Sequence, residues 1–445
     1  MKKFLSLATA FVILASSVFT APVSAITFKP GETIHSEAAC LVSLDTGDII
    51  FEQCAEEKKY PASLTKIMTA ILVLESIDDL DNTVITAPGY IFDELYEIGG
   101  ASTADFRRNE EATAKDLMYG MMLQSACEAA SILADYVGGG SVSNFVDMMN
   151  SKAAELGCTN THFTNAHGLF NENQYTTARD MAIIAEYAVG LPHFMEICNT
   201  YTYELPATNK HSEPRTVVHT NKLLSKNSDY YYEFARGVKT GTLDECGKNL
   251  VSTASKDGYN YLLVTLGAPQ KDEEGNTQNY QFEDAKILYE WAFKYFSYTT
   301  LINPEEEIDE VPVEFSDSND YVLVYPAEEY TMLWPSSVDV SNIIREVHLF
   351  ENVAAPVTVG QKLGTVDLIV QGEKLTTINL VTKDEIKRSE MKYNIFLVKN
   401  FFVSPWFKTA IVITVAAVLI YVILFLTVTR KKRRKMKRVN KTRRF

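Results

Sequence analysis

The chain has little that would hold a metal. Seven histidines and six cysteines are spread through 445 residues, and no His and Cys spacing suggests a zinc site. Internal repeats and low-complexity segments are absent as well. Positive charge is scarce outside one place. The whole chain carries −15, and the eleven Lys and Arg of Arg430–Phe445 stand together with no Asp or Glu. Without that block and without Lys2 and Lys3, residues 26–429 carry −28. So acidic a body argues against nucleic-acid binding. No metal or other cofactor is expected.

Long apolar runs occur only at the two ends. Phe4–Phe19 follows two lysines and precedes Val23-Ser24-Ala25. This is the pattern of a secretory signal peptide cleaved before Ile26; the competing reading is an anchor that is kept. Thr409–Val428 is 20 residues without charge, enough to cross a hydrocarbon core of about 30 Å. The basic block behind it belongs on the cytoplasmic side. Residues 26 to about 408 are therefore expected outside the cell, held to the membrane by a single C-terminal helix.

About 380 residues between the ends suggest two domains or more. Leu41–Leu44 and Ile49–Phe51 flank Asp45-Thr46-Gly47-Asp48, which predicts a hairpin over Ala39–Gln53. A helical stretch opens at Pro61-Ala62-Ser63 and runs to about Leu74. Thr113–Val189 reads as helical, broken once at Gly138-Gly139-Gly140. Phe234–Thr240, Asn249–Ala254 and Tyr259–Leu266 read as strands joined by short linkers, hence an antiparallel sheet. A helix at Phe282–Phe296 follows, with Leu288, Ala292 and Tyr295 on one face. Together these predict an α/β (α+β) domain. Beyond Ile302 the runs shorten to strands (Tyr321–Tyr325, Thr365–Val370, Thr376–Val381) separated by Gly and Pro, which predicts a small all-β domain of about 85 residues. Asp384–Lys392 is charged and reads as a stalk. The expected order is leader 1–25, α+β domain 26–300, β domain 301–390, stalk 391–408, spanning helix 409–428 and tail 429–445.

Three short motifs carry chemistry. Ser63-Leu64-Thr65-Lys66 opens a helix, Ser125-Ala126-Cys127 follows one, and Lys239-Thr240-Gly241 lies on a strand. This is the arrangement of penicillin-binding proteins and class A β-lactamases. Ser-x-x-Lys alone is weak, because a chain this long contains about two by chance. Ser389-Glu390-Met391-Lys392 is a second match and is set aside. Lys-Thr-Gly is rarer, and the weight rests on the set in its order. Ser and Lys three apart share one helix face. The hydroxyl needs a base, and a lysine becomes one only when burial or a nearby cation lowers its pKa. Lys239 would be that cation. Ser125 can both donate and accept, and so relay a proton to a leaving amine. Lys239 and Thr240 would hold a substrate carboxylate. The backbone N–H groups of Thr242 and Ser63 would form an oxyanion hole.

The stretches Tyr60–Ala70, Asn160–Leu169 and Gly237-Val238-Lys239-Thr240-Gly241 resemble the serine D-Ala-D-Ala carboxypeptidases, the low-molecular-mass penicillin-binding proteins. The likeness covers roughly residues 35–390. It implies a serine β-lactamase/transpeptidase-like domain with an antiparallel sheet and a helical subdomain, then a β-rich domain and a C-terminal anchor. It also implies the reaction. Ser63 attacks the bond between the last two D-alanines of a peptidoglycan stem peptide, D-alanine leaves, and water clears the acyl-enzyme. β-Lactams would acylate the same serine. His167 would close a loop near the site. Lys222 either carries a positive charge toward the substrate carboxylate or is a solvated lysine.

Cys127 departs from the family, whose middle motif is Ser-x-Asn; a thiol donates and accepts only weakly. One reading pairs it with Cys246 in a disulfide at the cleft edge, and the other leaves both thiols independent. Cys40 and Cys54 would pair only if a bulge shifted the hairpin register. Cys158 and Cys198 are expected as buried free thiols. Two other functions remain open: a β-lactamase, which needs a further carboxylate not evident here, and a catalytically weak protein that binds wall peptides or β-lactams, suggested by Cys127.

Overall fold

Ala38–Ser43 (β1) is apolar at nearly every position because both faces of the strand are covered. Ala38, Cys40 and Val42 enter one hydrophobic core, while Ala39 and Leu41 enter a second core on the other side of the sheet. Their alternation follows the two-residue period of a strand. The computed structural model describes residues 30–370 and 372–442; the leader read over residues 1–25 lies outside them. The chain divides into two compact units. One runs to Thr299 with Met332–Asp339 added, and the other comprises Thr300–Thr331 and Val340 onward.

The first unit is built on a five-stranded sheet. After β1 come Ile49–Gln53 (β2), the helices Thr65–Ser76 (α1), Gly89–Ile98 (α2), Ala114–Leu123 (α3), Cys127–Val137 (α4), Val142–Glu155 (α5) and Ala178–Val189 (α6). The strands Ala235–Leu243 (β3), Gly247–Lys256 (β4) and Tyr259–Ala268 (β5) follow, and then Tyr280–Tyr295 (α7). The sheet order is β2-β1-β5-β4-β3, and every pairing is antiparallel. β3 is therefore an edge strand whose outer amides have no strand partner.

α1 explains how a lysine comes to lie in a core. Thr65–Val73 is buried without a break, as a helix apolar all round must be. Its polar members have internal partners. Thr65 Oγ1 donates to Ala62 O at 2.8 Å, Thr69 Oγ1 donates to Ala166 O at 2.7 Å, and Lys66 is held as described below. The helix packs in the core shared with α3, α4 and α6, on one face of the sheet. α7 covers the other face with Phe282, Leu288, Tyr289 and Ala292.

Several expectations need adjustment. The helical region breaks at Gln124–Ala126 and at 156–177 as well as at the triple glycine. α2, which buries Ile91 and Leu95 one turn apart, is a helix that the expectations above did not include. Tyr295 is exposed, because α7 presents Leu288 and Ala292 inward and ends there. In the hairpin a bulge lies between Leu41 and Val42, and it sets Cys40 opposite Glu52 rather than Gln53. That shift moves Cys40 away from Cys54, and both are free.

The second unit is β-rich. Asp309–Glu314 (β6), Tyr321–Pro326 (β7), Ile344–Leu349 (β8), Val353–Ala354 (β9), Lys362–Val370 (β10) and Glu373–Val381 (β11) form one sheet in the order β8-β10-β11-β7-β6-β9. Its core side follows the period of two, with Val311 and Val313, Val322 and Val324, and Val366, Leu368 and Val370 buried. The charged segment after Val381 starts inside this unit: Ile386 is buried and bridges to Val357. The helices Glu390–Val403 (α8) and Pro405–Thr442 (α9) follow. Ser389 caps α8 by accepting from Lys392 N, which accounts for the second Ser-x-x-Lys match as a helix start. Pro405–Arg434 is long and apolar enough to cross a membrane.

Candidate active site

Ser63 sits in a single 3-10 turn, Ala62–Leu64, ahead of α1. Ala62 takes a left-handed φ of 50°, a conformation that costs a non-glycine residue and persists where its surroundings impose it. Three contacts impose it here. Asn249 in β4 donates its amide to Tyr60 O at 2.9 Å and Pro61 O at 3.1 Å, and accepts from Gly267 N at 2.8 Å. Gly241 in β3 presses on the turn from the sheet, where a Cβ would stand 3.0 Å from Pro61 O and 3.2 Å from Ser63 N. Gly168, at φ 84°, presses from the other side; a Cβ there would lie 2.0 Å from Ala62 O. Only glycine fits at 168, and at 241 a side chain would crowd the turn. Asn249 is a site residue that the sequence reading missed, and nothing in its strand, which also carries Lys248, Ser252 and Thr253, singles it out.

One turn into α1, Lys66 Nζ lies 3.1 Å from Ser63 Oγ and 3.6 Å from Cys127 Sγ, and it donates to His167 O. No carboxylate pairs with it among the described residues, and it is fully buried. Burial is the main cause of its lowered pKa, opposed in part by Cys127 and Glu128. The ring of His167 accepts from Leu169 N at 3.1 Å. Burial, and then the charge of Lys66, hold that ring neutral with a pKa of about 3. His167 thus closes its loop as expected, and its carbonyl also grips the lysine.

Ser125 occupies the turn between α3 and α4 with φ 64°. It is buried, and its Oγ has no hydrogen-bond partner. Cys127 begins α4 beneath it, with Sγ 3.9 Å from Ser125 O. An unpaired buried hydroxyl on a left-handed residue marks a place held ready for something else.

Lys239 is fully buried on β3, and its Nζ donates to Thr240 O at 3.0 Å. Burial first, and the charge of Lys66 second, lower its pKa to about 7. Thr240 Oγ1 is 2.5 Å from Thr220 Oγ1, and Thr220 N donates to Leu123 O at 3.1 Å. This link joins the strand to the end of α3, close before Ser125. Thr242 is exposed further along the edge strand. Ser63, Lys66, Cys127, the His167-Gly168 loop and Gly241 are thus in direct contact, with Ser125 and the Lys239-Thr240 pair attached through Cys127 and Thr220. Lys222 lies exposed on a separate short turn, its ammonium 5.8 Å from the Tyr230 ring.

Of the two readings for Cys127 and Cys246, the structure has the independent thiols: both are free. Cys246 lies in the turn past the end of β3, with Sγ near Leu243 O and Gly247 O. Cys127 is committed to the buried floor with Lys66. Cys158 and Cys198 are buried free thiols, as expected, and burial raises the pKa of both.

A serine in contact with a buried lysine one helical turn away, beside a cationic edge strand, is the arrangement of a serine acyl-transfer enzyme of the penicillin-binding class. The comparisons agree. The peptidase S11 family, described as D-alanyl-D-alanine carboxypeptidase, matches residues 24–270. The C-terminal domain of penicillin-binding protein 5 matches residues 296–388. The D-alanyl-D-alanine carboxypeptidase DacF of Bacillus subtilis (strain 168) is 28% identical over 366 residues, covering 81% of this chain and 88% of the relative. The D-alanyl-D-alanine carboxypeptidase of Streptomyces sp. (strain K15) is 32% identical over 287 residues, 62% of this chain and 95% of the relative. The crystal structure of penicillin binding protein 5 from Haemophilus influenzae superposes with a TM-score of 0.59 at 26% identity, covering 81% of this chain and all of that one. The chain belongs to the D-alanyl-D-alanine carboxypeptidase family, the low-molecular-mass penicillin-binding proteins. It is a serine-type carboxypeptidase that hydrolyses D-Ala-D-Ala ends.

Proposed function

We propose that Ser63 is the nucleophile and that neutral Lys66 takes its proton. The observation that carries this is the 3.1 Å contact between Lys66 Nζ and Ser63 Oγ in a lysine stripped of water and of carboxylates. Ser63 Oγ attacks the carbonyl of the penultimate D-alanine of a stem peptide. The N–H groups of Ser63 and Thr242 stabilise the oxyanion. Ser125 delivers a proton to the amine of the departing D-alanine, whose carboxylate is held by Lys239 and Thr240 beside Gly241. Water then enters the vacated leaving-group position and releases the acyl chain. β-Lactams present the same carbonyl and carboxylate to the same groups.

Specificity for the free carboxylate follows from Lys239. Its ammonium is buried, close to Lys66, and without an ion pair among the described residues; an incoming carboxylate relieves that. Glu128 does not serve as a deacylating base in this reading. Its carboxylate accepts from Thr103 Oγ1 and Ala104 N, both at 2.7 Å, and so fastens a loop. This favours slow clearance of β-lactams over their hydrolysis.

α9 would anchor the chain, with residues 26–300 as the catalytic domain outside the membrane, 301–390 as the β-rich domain and the basic tail in the cytoplasm. The test is D-alanine release from a synthetic pentapeptide alongside labelling by a fluorescent penicillin. Both are expected, and Ser63→Ala should abolish both. Release that survives Ser63→Ala would sink the assignment.

A further inference from the structure

β3 loses its register just ahead of Lys239. Arg236 faces Thr253 and Lys239 faces Val251 on β4, so Gly237 and Val238 together stand against Ser252 alone. Such a bulge interrupts the ladder and bends the strand. The sheet alone therefore does not set the direction in which Lys239 and Thr240 leave the bulge. The carbonyl of Gly237 is buried there and needs a donor from somewhere else.

That donor comes from His219-Thr220-Asn221, the segment that follows Arg215–Val218. Each of its residues meets β3. Asn221 Nδ2 donates to Gly237 O at 2.6 Å, and Thr220 Oγ1 lies 2.5 Å from Thr240 Oγ1. The buried ring of His219 is kept neutral, with a pKa of about 3, by burial and then by the charge of nearby Lys239. The segment is itself fixed from behind. His219 N donates to Tyr201 O at 2.8 Å and Thr220 N to Leu123 O at 3.1 Å. Asn221 N donates to His219 Nδ1 at 2.9 Å, and Asn221 Oδ1 accepts from Leu223 N at 3.0 Å. The amide of Asn221 is thus committed at both ends, in a residue with no exposure to water. On its far side Gly237 backs onto Cys198, where a Cβ would stand 3.2 Å from Cys198 Cβ.

We infer that Asn221 is a positioning residue for Lys239, and that with His219 and Thr220 it forms a clamp that does for β3 at its bulge what a neighbouring strand does elsewhere. None of the three touches the reacting atoms in this account. The inference rests on the reading of Lys239 as the group that holds the substrate carboxylate. Freed from the clamp, the strand would carry the ammonium away from that carboxylate and leave Ser63 and Lys66 where they are.

The experiment measures the second-order rate of acylation of the full chain by a penicillin with its carboxylate free and by the methyl ester of the same penicillin. Both rates are taken on one preparation, so an unfolded fraction cancels from their ratio. Wild type should favour the free acid by about 30-fold, the size of a hydrogen bond to a charged group. Asn221→Ala should cut that ratio to about fivefold or less, because the charge-assisted contact is lost with the acid and was never made with the ester. Where Asn221→Ala yields no folded protein, Thr220→Val decides in its place; it removes one exposed hydroxyl and should lower the ratio in the same direction. Equal losses on acid and ester, which keep the wild-type ratio, make the segment merely structural and overturn the clamp while the carboxylate reading stands. A wild-type enzyme that acylates equally fast with acid and ester overturns the reading of Lys239, and the clamp with it.

Discussion

At the scale of residues, the site is a balance between two buried lysines. In the proposed mechanism Ser63 needs Lys66 neutral, and the substrate carboxylate needs Lys239 charged. Burial lowers both pKa values, so the kcat/KM profile should be bell-shaped. Activity rises with pH as Lys66 loses its proton, and it falls as Lys239, with a pKa of about 7, loses its own. A guanidinium stays charged throughout this range. Lys239→Arg should therefore abolish the falling limb, even where geometry lowers the overall rate. A falling limb unchanged in that variant would assign it to another group. Cys127 acts on the rising limb. Its thiol stabilises the charged form of Lys66, so Cys127→Ala should lower the Lys66 pKa and shift the rising limb to lower pH. A shift to higher pH would show that the thiol plays some other part. The cysteine that departs from the family pattern is thus a partner of the proposed base, Lys66.

At the scale of elements, the Ser63 turn is shaped by neighbours that carry no chemistry. Gly168 and Gly241 let the backbone close on it from two sides, and Asn249 ties its carbonyls to the sheet. Gly168→Ala would set a methyl group against Ala62 O and require a left-handed alanine. We expect kcat for D-alanine release to drop by about 100-fold, as misplacement of a reacting group by about 1 Å can do, with thermal unfolding moving down by a few degrees at most. Wild-type kcat in that variant would mean that the loop can move away from Ala62 without disturbing Ser63. Burial of α1 on all sides has the same logic. A helix with one wet face would leave Lys66 solvated, protonated and useless as a base.

At the scale of the whole molecule, each unit has its own core, and the chain continues through α8 into α9. The helix Pro405–Arg434, which contains the uncharged run Thr409–Val428 and ends in lysines and arginines, is expected to behave as an integral anchor. The full chain should stay with membranes through washes in 1 M salt or alkaline carbonate and be released by detergent, by the screening argument that high salt frees proteins held by charge alone. Release by salt would mean that α9 does not span. The labelled penicillin offers a direct count of active protein in each fraction.

The sequence by itself determined the succession of an α+β and a β-rich segment, the acyl-transfer chemistry and the apolar C-terminal span, because each is written locally, in periodicity, in a three-residue step along a helix or in an unbroken apolar run. Tertiary structure decided the rest. It paired Cys127 with Lys66 and not with Cys246, placed a bulge that carried Cys40 away from Cys54, and put Asn249 and two glycines around a strained turn. Those outcomes depend on which surfaces meet across long stretches of chain, where a one-residue shift in register exchanges one set of neighbours for another.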